Sequence, residues 1–255
     1  MGPGGRRMLS GSVSVAGIAV ATLVGPVAGT ANAQVPTCFG ASATIVATPG
    51  VPTIGTPGRD VIVGTAGPDQ IDGRSGDDLI CGLGGDDILT GGLGNDRIDG
   101  GDGGDLVMGD VRATSGDANG GGEDLLVSGA GDDDMVGDSR TTGGTATGGG
   151  IDTIFGGDGN DHIAGDSLSL RASDAIGGGR DYLDGGNGND TIVGDSVARK
   201  TAIGAGNDVL LGGAGTGDLL IGDSEGRPAG DWRPRRRFPG PGSGRRVRRH
   251  WRPFY

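Results

Sequence analysis

Aspartate recurs at a fixed interval in this sequence. From Gly55 to Met108 the chain divides into six nonapeptides, GTPGRDVIV, GTAGPDQID, GRSGDDLIC, GLGGDDILT, GGLGNDRID and GGDGGDLVM, and the sixth position is always aspartate. The pattern returns after Gly120 with longer spacings. The sixth-position aspartates are Asp60, Asp69, Asp78, Asp87, Asp96, Asp105, Asp124, Asp133, Asp152, Asp161, Asp181, Asp190, Asp208 and Asp218. Carboxylates repeated in this way can bind a hard cation, or they can cap turns by bonding their own backbone.

The elements that position these aspartates follow from the rest of the repeat. Two residues after each aspartate stands an apolar side chain, although only 33% of the chain is hydrophobic. These residues are Ile62, Ile71, Ile80, Leu89, Ile98, Val107, Leu126, Met135, Ile154, Ile163, Leu183, Ile192, Leu210 and Leu220. Glycines at positions 1, 2 and 4 allow a tight turn with positive φ. We therefore expect a turn followed by a short strand, with positions 7 and 9 facing outward.

If two repeats make one turn of the winding chain, alternate aspartates lie on the same side of it, and we call each such side a wall. One wall then carries Asp60, Asp78 and Asp96, and the opposite wall carries Asp69, Asp87 and Asp105. Such ladders of carboxylates repel one another unless a cation neutralises them. Calcium fits because it takes six to eight oxygen ligands in irregular geometry. Zinc and copper fit poorly, since the repeats hold one histidine and one cysteine.

The nonapeptide G-G-x-G-x-D-x-U-x, with U apolar, closely resembles the RTX repeat, and the resemblance extends from Gly55 to Asp223. It implies an all-β fold, a parallel β-roll or right-handed β-solenoid of about seven two-repeat turns. It also implies several Ca²⁺ ions, bound between successive loops on each wall by turn carbonyls and by the sixth-position aspartates.

A longer period follows residue 108. A Gly-Asp step recurs at Asp110, Asp138, Asp166, Asp195 and Asp223, and each interval contains two repeats and about ten inserted residues. We expect the inserts to form polar loops along one wall, either as a recognition ridge or as tolerated loop-tip insertions. The Gly-Asp aspartates either replace lost calcium ligands, close the base of the loop, or face solvent in a turn.

The segments outside the repeats have other compositions. Residues 1–33 read as a signal peptide, with Arg6-Arg7, an apolar stretch from Val13 to Val27 and Ala31-Asn32-Ala33 as the cleavage site. Residues 34–54 form a cap, residues 55–108 the contiguous repeats, and residues 109–224 the repeats with inserts. An even cysteine pair in an exported chain predicts a Cys38–Cys81 disulfide that pins the cap to the roll. Residues 225–255 are an Arg-, Pro- and Gly-rich tail, for which we expect disorder.

Charge and composition limit the classes of function that fit this sequence. The net charge is −12, with the acids concentrated in the repeats and arginines in the tail. We expect a secreted, extracellular or cell-surface calcium-binding protein with a structural or interaction role, and no membrane span in the mature chain. Its expected partners are calcium and cell-surface or matrix components, with nucleic acid reached only through the basic tail. No H-E-x-x-H or nucleophile motif is present, so we expect no enzyme. The alternatives are an adhesin or matrix protein presenting the insert loops, or an accessory module of a secreted hydrolase.

Overall fold

A computed structural model of the chain describes residues 35–171, 173–223 and 225–226. The predicted signal peptide at residues 1–33, and the tail apart from residues 225–226, lie outside the described residues. Every regular element in the described part is a β-strand. None of these residues forms a helix long and apolar enough to cross a membrane.

The N-terminal part winds with two strands per turn. A small antiparallel hairpin comes first, formed by β1 (Thr37–Cys38) and β2 (Ala41–Ser42). The winding strands that follow are β3 (Ile45–Val46), β4 (Thr53–Ile54), β5 (Val61–Val63), β6 (Gln70–Asp72), β7 (Leu79–Gly84) and β8 (Ile88–Thr90). Strands β5 to β8 each begin just after a sixth-position aspartate, because the glycine-rich half of the repeat bends and the apolar half extends.

The C-terminal part winds with four strands per turn. Its strands are β9 (Arg97–Asp102), β10 (Leu106–Met108), β11 (Arg112–Ala113), β12 (Ala118–Asn119), β13 (Leu125–Ala130), β14 (Asp134–Val136), β15 (Arg140–Thr141), β16 (Ala146–Thr147), β17 (Thr153–Asp158), β18 (His162–Ala164), β19 (Leu168–Ser169), β20 (Asp174–Ile176), β21 (Tyr182–Asn187), β22 (Thr191–Val193), β23 (Val197–Ala198), β24 (Thr201–Ile203), β25 (Val209–Leu211), β26 (Leu219–Ile221) and β27 (Glu225–Gly226).

Four parallel sheets run along the axis of winding. Sheet one has eight strands in the order β25-β21-β17-β13-β9-β7-β5-β3, and sheet two has eight in the order β26-β22-β18-β14-β10-β8-β6-β4. Sheet three is β11-β15-β19-β23-β27 and sheet four is β12-β16-β20-β24. The register aligns equivalent repeat positions, as in the pairs Ile80 with Ile98 and Leu89 with Val107. The predicted all-β parallel roll is confirmed.

The eighth-position side chains form the core between sheets one and two. Thirteen of them, from Ile62 to Leu210, make one buried cluster, and Leu220 packs against it while partly exposed. Two inward-facing rows of Ile, Leu, Val and Met are therefore the main hydrophobic driving force of the fold.

The inserts all lie on one side of the roll, as expected, but the expectation that they form loops is wrong. The inserts form the strands of sheets three and four, and they bury a second, narrow core of small side chains, namely Ala118, Ala146, Ala175, Ala198, Ser139, Thr141 and Ser169. The expected roll of about seven two-repeat turns with insert loops is corrected accordingly, because four of the turns are wide, with one strand in each sheet. Equivalent inserts pair with one another because their backbone groups meet in register at every turn.

The N-terminal hairpin covers the outer face of sheet one. Cys38 and Cys81 form a disulfide with a Cα–Cα distance of 5.7 Å, which confirms the predicted pair. Under this hairpin, positions 7 and 9 are buried at Val61, Val63 and Leu79, contrary to the expectation that they face outward. Position 9 is also buried at Met108 and Val136, next to Leu168 of sheet three. The outward rule fails wherever a second layer packs on the sheet.

Candidate metal centre

The sixth-position aspartates line two walls, as the spacing predicts. The first wall, at the start of sheet one strands, carries Asp60, Asp78, Asp96, Asp124, Asp152, Asp181 and Asp208; the second wall, at the start of sheet two strands, carries Asp69, Asp87, Asp105, Asp133, Asp161, Asp190 and Asp218. All are buried except Asp208 and Asp218, which are partly exposed at the last turn. Buried carboxylates are rare unless something pairs with them.

From Asp78 and Asp87 onward, one oxygen of each carboxylate accepts a hydrogen bond in a ladder along its wall. The backbone N–H of Asp60 donates to Oδ1 of Asp78 at 2.7 Å, and the N–H of Asp133 donates to Oδ1 of Asp161 at 2.9 Å. The same contact repeats on both walls, each N–H reaching the aspartate of the next turn. These bonds fix the side-chain direction, so the other oxygen points into the turn.

The second oxygen has no donor in most repeats. At the first two repeats a threonine N–H reaches it, Thr56 to Asp60 and Thr65 to Asp69, both at 2.6 Å. Among the described residues, every sixth-position aspartate except Asp60 and Asp218 has a buried oxygen without a hydrogen-bond partner. For all of these except Asp69 that oxygen is Oδ2. A charged oxygen buried without a partner is strongly unfavourable.

The first-position glycine leaves room beside this oxygen. A Cβ at Gly82 would collide with Oδ2 of Asp87 and would lie 2.5 Å from the carbonyl oxygen of Gly100, one turn on. A Cβ at Gly91 would collide with Oδ2 of Asp96 and with the Gly109 carbonyl oxygen. The glycine therefore brings a carboxylate oxygen and a carbonyl oxygen close together, and both are ligands that calcium prefers.

The electrostatics show that these carboxylates lack a compensating charge. Burial, with a smaller contribution from nearby carboxylates, raises the pKa of Asp87 to about 6 and the pKa of Asp161 to about 7. The effect of burial is larger at Asp96 and Asp124 of the first wall, where it raises each pKa to about 8. The ladder hydrogen bond lowers each pKa but does not offset burial. Burial therefore disfavours the charged form of these aspartates where no cation is present.

The donor set fits calcium. Within the part of the chain that the structure describes, no three His, Cys, Asp or Glu side chains group as a metal cluster. A cation at the walls would have backbone carbonyls of the glycine turns and the orphan Oδ2 atoms as its available ligands. A mixed set of carbonyl and carboxylate oxygens matches calcium and does not match zinc.

The Gly-Asp aspartates lie in the interior. Asp110, Asp138, Asp166 and Asp195 have 0% exposure, so the interpretation of these residues as solvent-facing turn residues is wrong. They stand where the long insert leaves sheet two and begins sheet three. Sequence reasoning missed that the inserts enclose them. The signal was present in Ala118, Ala146, Ala175 and Ala202, which recur at nearly constant spacing and pair in sheet four.

Comparison with protein families agrees with this geometry. A family model described as the RTX calcium-binding nonapeptide repeat (4 copies) matches residues 54–89, 82–111, 120–139, 146–167, 177–197 and 204–222. The matched segments leave out most of each insert, which is where sheets three and four lie. Comparisons with curated proteins and with solved structures gave no match.

Proposed function

Because the chain belongs to the family of RTX calcium-binding nonapeptide repeat proteins, we propose that it is an exported protein whose β-roll folds when calcium binds and which then serves a structural or interaction role outside the cell. The observation that carries the proposal is the row of buried carboxylate oxygens without donors on both walls. The fold keeps these charged atoms out of water and supplies no protein cation for them.

The sixth-position aspartates would hold the ions, together with carbonyl oxygens of the glycine turns. Bound calcium supplies positive charge and binds oxygens that have no hydrogen-bond donor. The chain's own residues do the rest. The ladder N–H groups orient each carboxylate, the first-position glycines keep the space beside Oδ2 open, and the eighth-position side chains exclude water from the interior.

Calcium should decide whether the chain folds. The roll is built from thin strands with one large apolar side chain per repeat, so hydrophobic burial per residue is low. Repulsion along each wall opposes folding until a cation is bound. Metal binding then contributes its free energy directly to folding, as in other proteins whose sites form only in the folded state.

Circular dichroism during a calcium titration, followed by excess chelator, tests the proposal. The chain should be largely disordered in chelator, gain β-sheet signal at submillimolar to millimolar calcium, and lose it again on chelation. Magnesium at the same concentration should not substitute, because Mg²⁺ requires near-octahedral geometry and releases its waters reluctantly. A β-rich, protease-resistant chain in excess chelator at neutral pH would contradict the proposal.

Export and the extracellular role rest on the sequence before residue 34 and on calcium availability outside cells. Cell fractionation of the full chain and of a chain lacking residues 1–33 tests export, and only the full chain should leave the cytoplasm.

The adhesin or matrix alternative concerns the outer face of the wide turns. This face is a regular array of short strands from sheets three and four, and in that alternative it presents a repetitive surface to a partner. Binding to cell-wall glycans that persists in chelator would count against a role for the folded roll.

A further inference from the structure

Four interior carboxylates are not explained by the nonapeptide repeat. Asp110, Asp138, Asp166 and Asp195 occupy the second repeat position, where the N-terminal turns carry Thr56, Arg74 and Gly92. At Gly92 the backbone has φ +115, and a Cβ would collide with the Arg74 carbonyl oxygen, so this turn has no room for a side chain at that position. In the wide turns the chain continues into sheet three, and an aspartate side chain fits inside.

None of these carboxylates has a hydrogen-bond donor. Each of the four is fully buried, and both side-chain oxygens of each lack a partner within the described part of the chain. This differs from the sixth-position aspartates, whose Oδ1 accepts a backbone N–H. Nearby Ser139, Ser167 and Ser196 direct their hydroxyls to the carbonyls of Gly120, Gly148 and Gly177 and not to the carboxylates.

Other oxygens without donors lie beside them. A Cβ at Gly109 would collide with Oδ2 of Asp124 and with the carbonyl oxygen of Gly137, so both atoms face the Gly-Asp step. The arrangement repeats with Asp152 and Gly165 at Gly137, Asp181 and Gly194 at Gly165, and Asp208 and Gly222 at Gly194. On the insert side, a Cβ at Gly120 would lie 2.9 Å from Oδ1 of Asp110. Each step is thus surrounded by carboxylate and carbonyl oxygens.

We propose that Asp110, Asp138, Asp166 and Asp195 form an additional line of calcium ligands inside the wide turns, acting with Oδ2 of Asp124, Asp152, Asp181 and Asp208 and with neighbouring glycine carbonyls. This inference rests on the proposed function and adds to it a second set of ligands, one per wide turn, that the nonapeptide alone does not supply. It also explains why the first wall stays regular although its turns are interrupted by inserts.

Protons are the competing explanation for the buried charge. Burial and the neighbouring acids raise the pKa of Asp138 and of Asp166, and each carboxylate lies within hydrogen-bonding reach of the next. One proton between two carboxylates satisfies one acceptor oxygen, however, and leaves the others without a donor. A hard cation satisfies several oxygens at once.

The test compares two variants that have the same net charge. The interior variant carries Asp110→Asn, Asp138→Asn, Asp166→Asn and Asp195→Asn. The control variant carries the same change at four exposed aspartates, Asp102, Asp117, Asp132 and Asp158. Bound calcium is counted by equilibrium dialysis with radioactive calcium, at a concentration where circular dichroism shows complete folding, and the folding midpoint is measured by calcium titration.

The interior variant should bind fewer calcium ions per chain than the wild type and fold at a several-fold higher calcium concentration. The control variant should keep the wild-type number of ions. An interior variant with the wild-type ion count and an equal or lower midpoint would overturn the inference in favour of protonated side chains. If the fourfold variant does not fold at any calcium concentration, Asp138→Asn alone decides, since it should lower the ion count and an unchanged count would refute the inference. Failure of the wild type to bind calcium would instead refute the proposed function.

Discussion

Adding one methyl group at a glycine of the second wall tests whether the space beside the carboxylates is needed for calcium-dependent folding. Gly67→Ala, in the second repeat, and Gly82→Ala, in the fourth, make the same chemical change in successive turns of this wall, and neither glycine has a positive φ. A Cβ at Gly67 meets no atom within 4 Å, whereas a Cβ at Gly82 collides with Oδ2 of Asp87 and approaches the Gly100 carbonyl oxygen to 2.5 Å. The two variants therefore differ in the space beside the carboxylate.

The size of the effect follows from overpacking. Forcing a methyl into a filled site costs about 1–3 kcal/mol, which is about 5- to 150-fold in the folding equilibrium. In a calcium titration, the shift of the folding midpoint becomes smaller as more ions bind during the folding transition. With a Hill coefficient of about 4, this free-energy cost raises the midpoint calcium concentration about 1.5- to 3.5-fold. Gly67→Ala should lower the midpoint slightly, because alanine reduces the entropy of the unfolded chain by about 0.4–1 kcal/mol.

The assay is far-UV circular dichroism of the wild type and both variants during calcium titration, with the Hill coefficient fitted for each. Equilibrium dialysis then gives the number of bound ions for the folded proteins, and Gly82→Ala should lose ligation at one turn. Equal midpoints for Gly82→Ala and Gly67→Ala would show that the space beside Oδ2 plays no part in calcium-dependent folding.

Three further outcomes are expected. Asp161→Asn changes a buried carboxylate that is proposed as a calcium ligand and should reduce bound calcium measured by dialysis, whereas Asp158→Asn, at an exposed position of the same turn, should not. The folded pKa of Asp124 without metal is raised to about 8, above its unfolded value near 3.8. In chelator the metal-free roll should therefore gain stability as pH falls from about 8 to about 4. A flat dichroism signal over that pH range would contradict this expectation. Reducing the Cys38–Cys81 disulfide, which spans 43 residues, should destabilise the calcium-loaded protein by about 4 kcal/mol on the chain-entropy model, measured by chemical denaturation with and without reductant.

The contiguous repeats determined most of the roll without any coordinates. A nine-residue period with aspartate at position 6 and an aliphatic residue at position 8 is sufficient to predict parallel strands, two facing rows of core side chains and two walls of carboxylates. It works because each of these features depends on contacts between equivalent positions one turn apart, and the period itself sets that register. The disulfide was predictable from cysteine number in an exported chain.

The tertiary structure alone decided the wide turns. The inserts carry no strong apolar period, and their strands are only two or three residues long, as in Ala146–Thr147. Such short strands are stable only when an equivalent strand of the next turn supplies hydrogen-bond partners, and this pairing depends on the whole stack. For the same reason the burial of Asp138 was not visible in the sequence. A Gly-Asp step is an ordinary exposed turn in isolation, and it becomes interior only because sheets three and four close over it.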